Sequence, residues 1–324
     1  MRCLVTGGSG FIGSHLVEQL VKLGHQVTVL DNFCTGKIKN LENVKKKIRI
    51  IEIDISNGNL EKHFKKIDYV FHLAALADIV PSINNPKNYF ETNVVGTFNV
   101  LEACRKNNIK KIIYLASSTC YGIPDKYPTP ESYKINPQYP YALTKYFGEL
   151  LTLHWAKVYK LKFISLRLFN VYGTRSRTSG SYGAVFGVFL AQKLAKKPFT
   201  IVGNGKQKRD FTYVSDVVEA IIKAIKSKKF NKIYNVGSGK SISVNHIANL
   251  LKGKRVHIPK RPGEPNMTFA DITKISKDLK WYPKINISEG VNLILKNIDL
   301  WKDAPVWTPE KIRVATKNWF KFLS

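Results

Sequence analysis

Met1-Arg-Cys-Leu-Val-Thr-Gly-Gly-Ser-Gly-Phe-Ile-Gly13 is the stretch on which the reading of the whole chain turns. Residues 2–5 form a short apolar run, the mark of a buried parallel strand. Gly7, Gly10 and Gly13 follow at three-residue spacing, and over 11–23 apolar residues recur at the helical period. Strand, glycine turn and helix together make a phosphate-binding corner. Glycine at 7 permits a tight turn, glycine at 10 lets backbone N–H groups approach a pyrophosphate, and glycine at 13 lets helix and strand pack closely. The pyrophosphate of a dinucleotide would rest on the positive N-terminus of that helix, against Phe11, Ile12 and Gly13. A second strand over 26–30 ends in Asp31, with Asn32 beside it in the loop. An acidic residue about twenty positions past the glycines suits the 2′-hydroxyl of an adenosine ribose and repels a 2′-phosphate, so NAD is expected rather than NADP.

Length and composition bound what surrounds this corner. The chain has 324 residues, 44% of them hydrophobic, enough for a full core shared between two lobes. It holds no apolar run of roughly eighteen residues, so no membrane span is expected. A strand that begins at the second residue leads us to expect no signal peptide. Cys3, Cys34, Cys104 and Cys120 lie far apart without metal-type spacing, so no metal site and a reduced, cytoplasmic protein are expected, with Cys3 and Cys104 as core fillers. The 52 basic residues outnumber the 23 acidic ones, for a net charge of +29, in short clusters such as 45–47 and 226–229. Such an excess admits a nucleic-acid or anionic-surface partner. Neither a nucleic-acid motif nor a basic run interleaved with aromatics accompanies it. The charge is therefore read as a solvated lysine-rich surface that draws in anionic substrates, with no nucleic-acid partner.

Past Asp31 strands alternate with helices: strands at 48–53, 68–73, 111–116 and 163–168, helices at 89–105 and 137–159. This is the α/β pattern of a Rossmann-type, doubly wound parallel sheet. Asp54 and Ile55 close the third strand, where a carboxylate either accepts from an adenine amino group or caps the next turn. Leu73, Ala74 and Ala75 end the fourth, small enough for the backbone to approach a cofactor. The helix at 89–105 carries Asn93, and the fifth strand ends at Ser117-Ser118-Thr119. Tyr141 and Lys145 lie one turn apart and share a helix face. A phenol with a pKa near ~10 is a poor base at neutral pH. A lysine ammonium and a nicotinamide positive charge both favour phenolate, and a serine hydroxyl opposite can hold or relay the substrate's proton. Beyond 170 the alternation weakens. Helices are expected at 184–196, 211–226 with Ser215 as its cap, 271–279 and 288–300, and strands at 199–202 and 233–236. We expect a cofactor domain over 1–170, to which about 211–237 returns, and a smaller C-terminal α/β substrate lobe made of 171–210 and 238–324.

These motifs together resemble the extended short-chain dehydrogenases, in particular the NAD-dependent nucleotide-sugar epimerases and dehydratases typified by the UDP-glucose 4-epimerases. The likeness is carried by Thr6-Gly-Gly-Ser-Gly-Phe-Ile-Gly13, His72-Leu-Ala-Ala75, Asn93-Val-Val-Gly-Thr97, Ala116-Ser-Ser-Thr-Cys-Tyr-Gly122 and Pro140-Tyr-Ala-Leu-Thr-Lys145. It continues through Arg167-Leu-Phe-Asn-Val-Tyr-Gly173, Arg209-Asp-Phe-Thr-Tyr-Val-Ser-Asp216 and Arg261-Pro-Gly-Glu264. The resemblance implies that Tyr141 is the base, that Lys145 orients it and holds the nicotinamide ribose, and that Ser117 is the catalytic hydroxyl. It implies that Asn170, Arg209 and Arg261 bind the substrate diphosphate, with Ala77, Ser118, Thr119, Val185 and Glu264 in the same substrate site. Arginine suits that task because it grips phosphate bidentately. The plain alternatives are a surface pair of Arg209 with Asp210 and a solvated loop around Arg261.

The resemblance also bears on the reaction. In similar dehydratases an Asp-Glu pair follows the catalytic hydroxyl, and uronate decarboxylases usually keep a glutamate there. Ser118 and Thr119 stand in those places, so elimination is disfavoured and epimerisation is implied. Tyr141 would take the C4 hydroxyl proton while a hydride passes from C4 to NAD. The 4-keto sugar would turn, and the hydride would return to its other face. A dehydratase or decarboxylase, and a non-catalytic NAD- or nucleic-acid-binding protein, are the alternatives. Val202 departs from the aromatic that often packs on uracil, and Thr268 from a tyrosine that narrows the sugar pocket, which would admit an N-acetylhexosamine. The loop 176–183 and the tail 301–307 also depart from the common pattern. Arg175, Arg177 and Ser179 are candidates to meet a uronate carboxylate. The family further implies a homodimer built on the helices at 89–105 and 139–159.

Overall fold

The computed structural model describes residues 1–176 and 183–323. In chain order the strands are β1 (Arg2–Thr6), β2 (Gln26–Asp31), β3 (Ile48–Glu52), β4 (Tyr69–His72), β5 (Lys111–Ser117), β6 (Phe163–Leu168), β7 (Asn170–Tyr172), β8 (Phe199–Val202), β9 (Lys208–Arg209), β10 (Phe211–Tyr213), β11 (Lys232–Val236), β12 (Ile242–Ser243) and β13 (Arg255–Ile258). Seven of them form one parallel sheet in the order β11-β6-β5-β4-β1-β2-β3. Both faces of this sheet are covered, which is why its strands are runs of Val, Ile, Leu and Phe rather than alternating patterns. The strand order reverses between β1 and β4. A crevice opens there, at the carboxyl ends of the strands, where ligands of doubly wound sheets bind.

The helices are α1 (Phe11–Lys22), α2 (Glu61–Phe64), α3 (Ile79–Asn84), α4 (Pro86–Phe90), α5 (Gly96–Lys106), α6 (Pro140–Tyr159), α7 (Val185–Leu194), α8 (Val214–Lys226), α9 (Val244–Leu251), α10 (Thr273–Leu279), α11 (Ile287–Leu295), α12 (Pro309–Ala315) and α13 (Lys317–Leu323). On one face of the sheet, Leu16, Val17 and Leu20 of α1 meet Val217 and Ile221 of α8 in a common core. On the other, Val100, Leu101 and Cys104 of α5 pack with Ala156 of α6. A third core gathers Phe189 of α7, Phe199 of β8 and Ile247 of α9, together with Trp301 and Trp319 from the end of the chain. Cys3 and Cys104 are buried as core fillers, and all four cysteines are free. Among the described residues no helix is long and apolar enough to cross a membrane, and no three His, Cys, Asp or Glu side chains gather to hold a metal.

Three expectations about elements need correction. Residues 211–213 are not the start of a helix. Phe211–Tyr213 is a strand that pairs in parallel with Asn170–Tyr172, because two aromatic residues and a threonine suit a pleated, buried register. The helix begins at Val214 after Tyr213, so Ser215 lies inside it and caps nothing. The helix expected over 89–105 is interrupted by a π turn, Glu91–Val95, between α4 and α5. The helix expected from 137 starts at Pro140, since proline fits the first helical position, where its missing N–H costs nothing.

Candidate active site

The cleft at the sheet's carboxyl edge has a volume of about 980 Å³. Gly7 turns the chain off β1 at φ +69°, in the region that disfavours side chains. A Cβ there would lie 2.7 Å from the Ala74 nitrogen, and one on Gly13 would strike the Gly7 carbonyl oxygen. These two glycines therefore exist for close approach between backbone segments. Gly10 is the N-cap of α1; no side chain caps that helix, and no acidic residue occupies its first turn. Its leading N–H groups, with the positive end of the helix dipole, are left for an anion. Gly7, Gly10, Phe11, Ile12 and Gly13 all line the cleft, so this end fits the pyrophosphate of a dinucleotide.

Asp31 accepts from the backbone N–H groups of Ser9 and Phe33, each at 2.9 Å, and lines the cleft while 7% exposed. Asp54 accepts from Ser56 N at 2.8 Å and from Asn32 Nδ2 at 2.7 Å. Asp54 thereby caps the next turn, and it also lines the cleft. Burial raises its pKa, but the bonds from Ser56 and Asn32 outweigh that and hold the carboxyl below its ordinary value. Asn32, Ile55, Leu73, Ala74 and Ala75 line the same end. Asn93 is not among the lining residues and is 1% exposed. It accepts from Leu76 N at 2.9 Å and donates to Leu76 O at 3.0 Å and to Thr144 Oγ1 at 3.1 Å. In this structure Asn93 acts as a clip on the loop that carries Ala74 and Ala75. The π turn, which re-aims side chains locally, is what places it there.

Ser117 ends β5. Thr119 donates its N–H at 3.2 Å and its hydroxyl at 2.9 Å to Ser117 Oγ. With both lone pairs occupied, the Ser117 hydroxyl is left to donate, and Tyr141 lines the same cleft. Burial raises the Tyr141 pKa, and the bond from Ser117 pulls it back. Lys145 is one helical turn further on. Burial brings its ammonium down to about 7, opposed by the Glu149 carboxylate a turn beyond. Its Nζ sits 4.5 Å from the centre of the Tyr114 ring. Glu149 is itself buried, paired with Arg167 and accepting from Ser165 Oγ at 2.8 Å. Ser117, Ser118, Thr119, Tyr141 and Lys145 all line the cleft. The trio can accept a hydroxyl proton, while the two positions after Ser117 carry only hydroxyl groups.

At the far end Glu264 lies 3.0 Å from Arg261 Nη2 and 3.8 Å from Arg209 Nη2. Two guanidinium groups against one carboxylate leave a net +1, facing the cleft that all three residues line. Their side chains are only 14–16% exposed, so neither arginine is a solvated surface group. Arg209 does not pair with Asp210, which is fully buried and accepts from Ser238 Oγ at 2.7 Å and Ala270 N at 3.0 Å. Asn170 accepts from Thr268 Oγ1 at 3.0 Å. Ala77, Val185, Asn170, Val202 and Thr268 also line the cleft.

Arg175 also reaches the cleft; its Nη2 lies 2.7 Å from Glu18 Oε1, while its Nη1 is buried without a hydrogen-bond partner among the described residues. Arg177 and Ser179 fall outside the described residues. Asp78, Tyr139, Gln207 and Trp319 line the cleft without being among the candidates from the sequence, and most of the stretch 299–307, whose tail 301–307 departs from the common pattern, lines it too. Asp78 could have been found as the acidic residue directly after the small-residue run that ends β4. Trp319 had no local signal, since its place depends on where the end of the chain docks.

A family model described as the NAD dependent epimerase/dehydratase family matches residues 3–237. A UDP-glucuronate 4-epimerase of Thermodesulfobacterium geofontis is 36% identical over 94% of this chain and 99% of its own. A UDP-N-acetyl-alpha-D-glucosaminuronate decarboxylase of Bacillus cytotoxicus is 36% identical over 90% of this chain and 95% of its own. The crystal structure of UDP-glucose 4-epimerase from Thermotoga maritima, with UDP-glucose, superposes with a TM-score of 0.87 at 34% identity, covering 94% of this chain and 99% of that one.

Proposed function

The chain belongs to the NAD-dependent epimerase/dehydratase family, and from that premise we propose how it works as a nucleotide-sugar 4-epimerase. NAD, when bound, supplies an acceptor for one hydride and gives it back within the same turnover. Tyr141 takes the proton of the C4 hydroxyl. Ser117, held as a donor by Thr119, stabilises the developing phenolate by donating to it. Lys145 as ammonium favours the same charge. Arg209 and Arg261 carry the diphosphate, leaving the sugar free to turn between hydride loss and return. Gly10 to Gly13 and Asp31 hold the two ends of the adenosine diphosphate half of the cofactor.

The observation that carries this reading is the Ser117–Tyr141–Lys145 trio assembled in one cleft beside Ser118 and Thr119. Dehydration needs a positioned acid–base pair at that place, and none stands there. For the sugar, Thr268 puts a small side chain on the cleft wall, bonded to Asn170, and the pairing of Arg175 with Glu18 weighs against a uronate. We therefore favour a neutral UDP-hexose or UDP-N-acetylhexosamine. The decarboxylase among the relatives keeps carbon dioxide loss as the second reading.

The test is incubation with UDP-glucose, UDP-N-acetylglucosamine and UDP-glucuronate, without added NAD, followed by proton NMR and mass spectrometry. Inversion at C4 of a neutral sugar at unchanged mass is expected. A product lighter by carbon dioxide or water would move the protein to the second reading, and no reaction with any donor would remove the uridine assignment.

The same proposal includes a homodimer. Phe98 of α5 and Leu143 and Leu150 of α6 are large apolar side chains left exposed on the two helices expected to pair. Four free cysteines suit a reducing compartment, and we assign the protein to the cytoplasm.

A further inference from the structure

We propose that Trp319, on the last helix, is a positioning residue for Arg261, which makes α13 part of the diphosphate end of the site. This rests on the reading of Arg209 and Arg261 as diphosphate ligands. Trp319 is 2% exposed, although it lies five residues from the end of the chain. Its ring lies beneath the Arg261 guanidinium, with Cζ 5.1 Å from a ring centroid. Its indole N–H donates to the Pro262 carbonyl at 2.7 Å, which fixes the backbone directly after Arg261. On another side it packs against Tyr139, the residue before α6, at 6.1 Å between centroids. The neighbouring Asn318 donates to Asn84 Oδ1 at 3.0 Å, tying α13 to the helix that follows Ala77 and Asp78.

The chemistry of these contacts is specific. A guanidinium on an aromatic face is attracted by the ring quadrupole, yet the ring offers no acceptor to its N–H groups. Arg261 can therefore be held in place by the ring while its N–H groups face Glu264 and the cleft. Glu264 by itself would not fix the direction of the guanidinium, because it is shared with Arg209. A helix of seven residues has no stability alone, so α13 is held by these contacts and in turn holds the 261–264 loop. The segment joins three parts of the cleft wall: the arginine loop, the entry to the Tyr141 helix, and α3.

The measurement is binding of UDP by calorimetry, with steady-state KM and kcat alongside, for W319A, W319F, W319L, R261A and W319A/R261A. We expect W319A to weaken UDP about tenfold and raise KM to match, with kcat within about twofold of wild type. W319F, which keeps an aromatic face, should recover most of the loss. W319L, which keeps bulk without the face, should not. In the R261A background W319A should add less than about twofold, since the residue it positions is gone. Wild-type affinity in W319A, equal affinity of W319F and W319L, or the same loss with Arg261 absent would each overturn the proposal. If W319A does not fold, the W319F and W319L pair decides it. Wild-type protein that binds no UDP would overturn both this inference and the reading of the arginines. Protein that binds UDP but inverts no sugar would overturn the epimerase substrate reading alone.

Discussion

Tyr141 shows how much of the chemistry rests on single side chains. Replacing it by phenylalanine removes the proposed base without disturbing the glycine corner. Turnover is expected to fall by about a thousandfold while NAD stays bound, read from cofactor released on denaturation. Retained activity would remove Tyr141 as the base. His72 is the second residue with a measurable consequence. Its Nδ1 meets Thr6 Oγ1 at 2.7 Å and its Nε2 meets Thr97 Oγ1 at 2.9 Å, deep under the cleft floor. Burial, aided by the Lys145 charge, brings its pKa down to about 3. Below the ordinary value of about 6.5 the unfolded chain takes up a proton that the folded protein refuses. Stability is therefore lost as pH falls, by about 1.4 kcal/mol per unit between those values, or about 2 kcal/mol from pH 7 to pH 5. Urea midpoints of wild type and His72→Gln at both pH values check this; the variant should lose that part of the pH slope. Both roles follow from neighbours that residue type alone does not reveal.

Among the elements, the π turn between α4 and α5 is the most telling. Periodicity reads 89–105 as one helix, because a single inserted residue barely disturbs an apolar pattern. The turn nevertheless swings Asn93 inward, where two hydrogen bonds to Leu76 hold the loop after β4 and a third anchors the side chain to Thr144 of α6. Asn93→Ala is expected to weaken NAD by about tenfold through that loop alone, measured by the fraction of protein purified with cofactor. Unchanged cofactor content would show that the loop holds its shape without the clip. At the far edge of the sheet, Lys111 of β5 donates to the carbonyls of Ile225 at 3.2 Å and Ser227 at 2.6 Å, closing the end of α8. Lys111→Met leaves those carbonyls without a partner and is expected to cost about 2 kcal/mol by urea unfolding. A surface reading of this lysine would predict no change.

Across the whole molecule, the apolar faces of α5 and α6 and the charge of +29 are the two features that single elements do not explain. Leu150→Glu places a charge on the proposed dimer face; light scattering should then report a monomer where wild type gives a dimer, and a wild-type monomer would remove the proposal. The core strands, the glycine corner with Asp31, and the Tyr141–Lys145 pair were legible in the sequence, because each depends on spacing within one element or across one turn. Ser117 was legible from its family motif. Its state as a hydrogen-bond donor was not, because that depends on how Thr119 folds back onto it. The pairing of Glu264 with both arginines, the capture of Arg175 by Glu18, the inward turn of Asn93 and the seat of Trp319 were equally hidden. Local periodicity and turn chemistry by themselves determined that Gly7 to Gly13 form a tight turn into a helix N-terminus of the form that takes a pyrophosphate, and that the sheet is doubly wound. Only the tertiary structure decided what surrounds the substrate, because those contacts join residues far apart in sequence, and their geometry exists only once the lobes have packed.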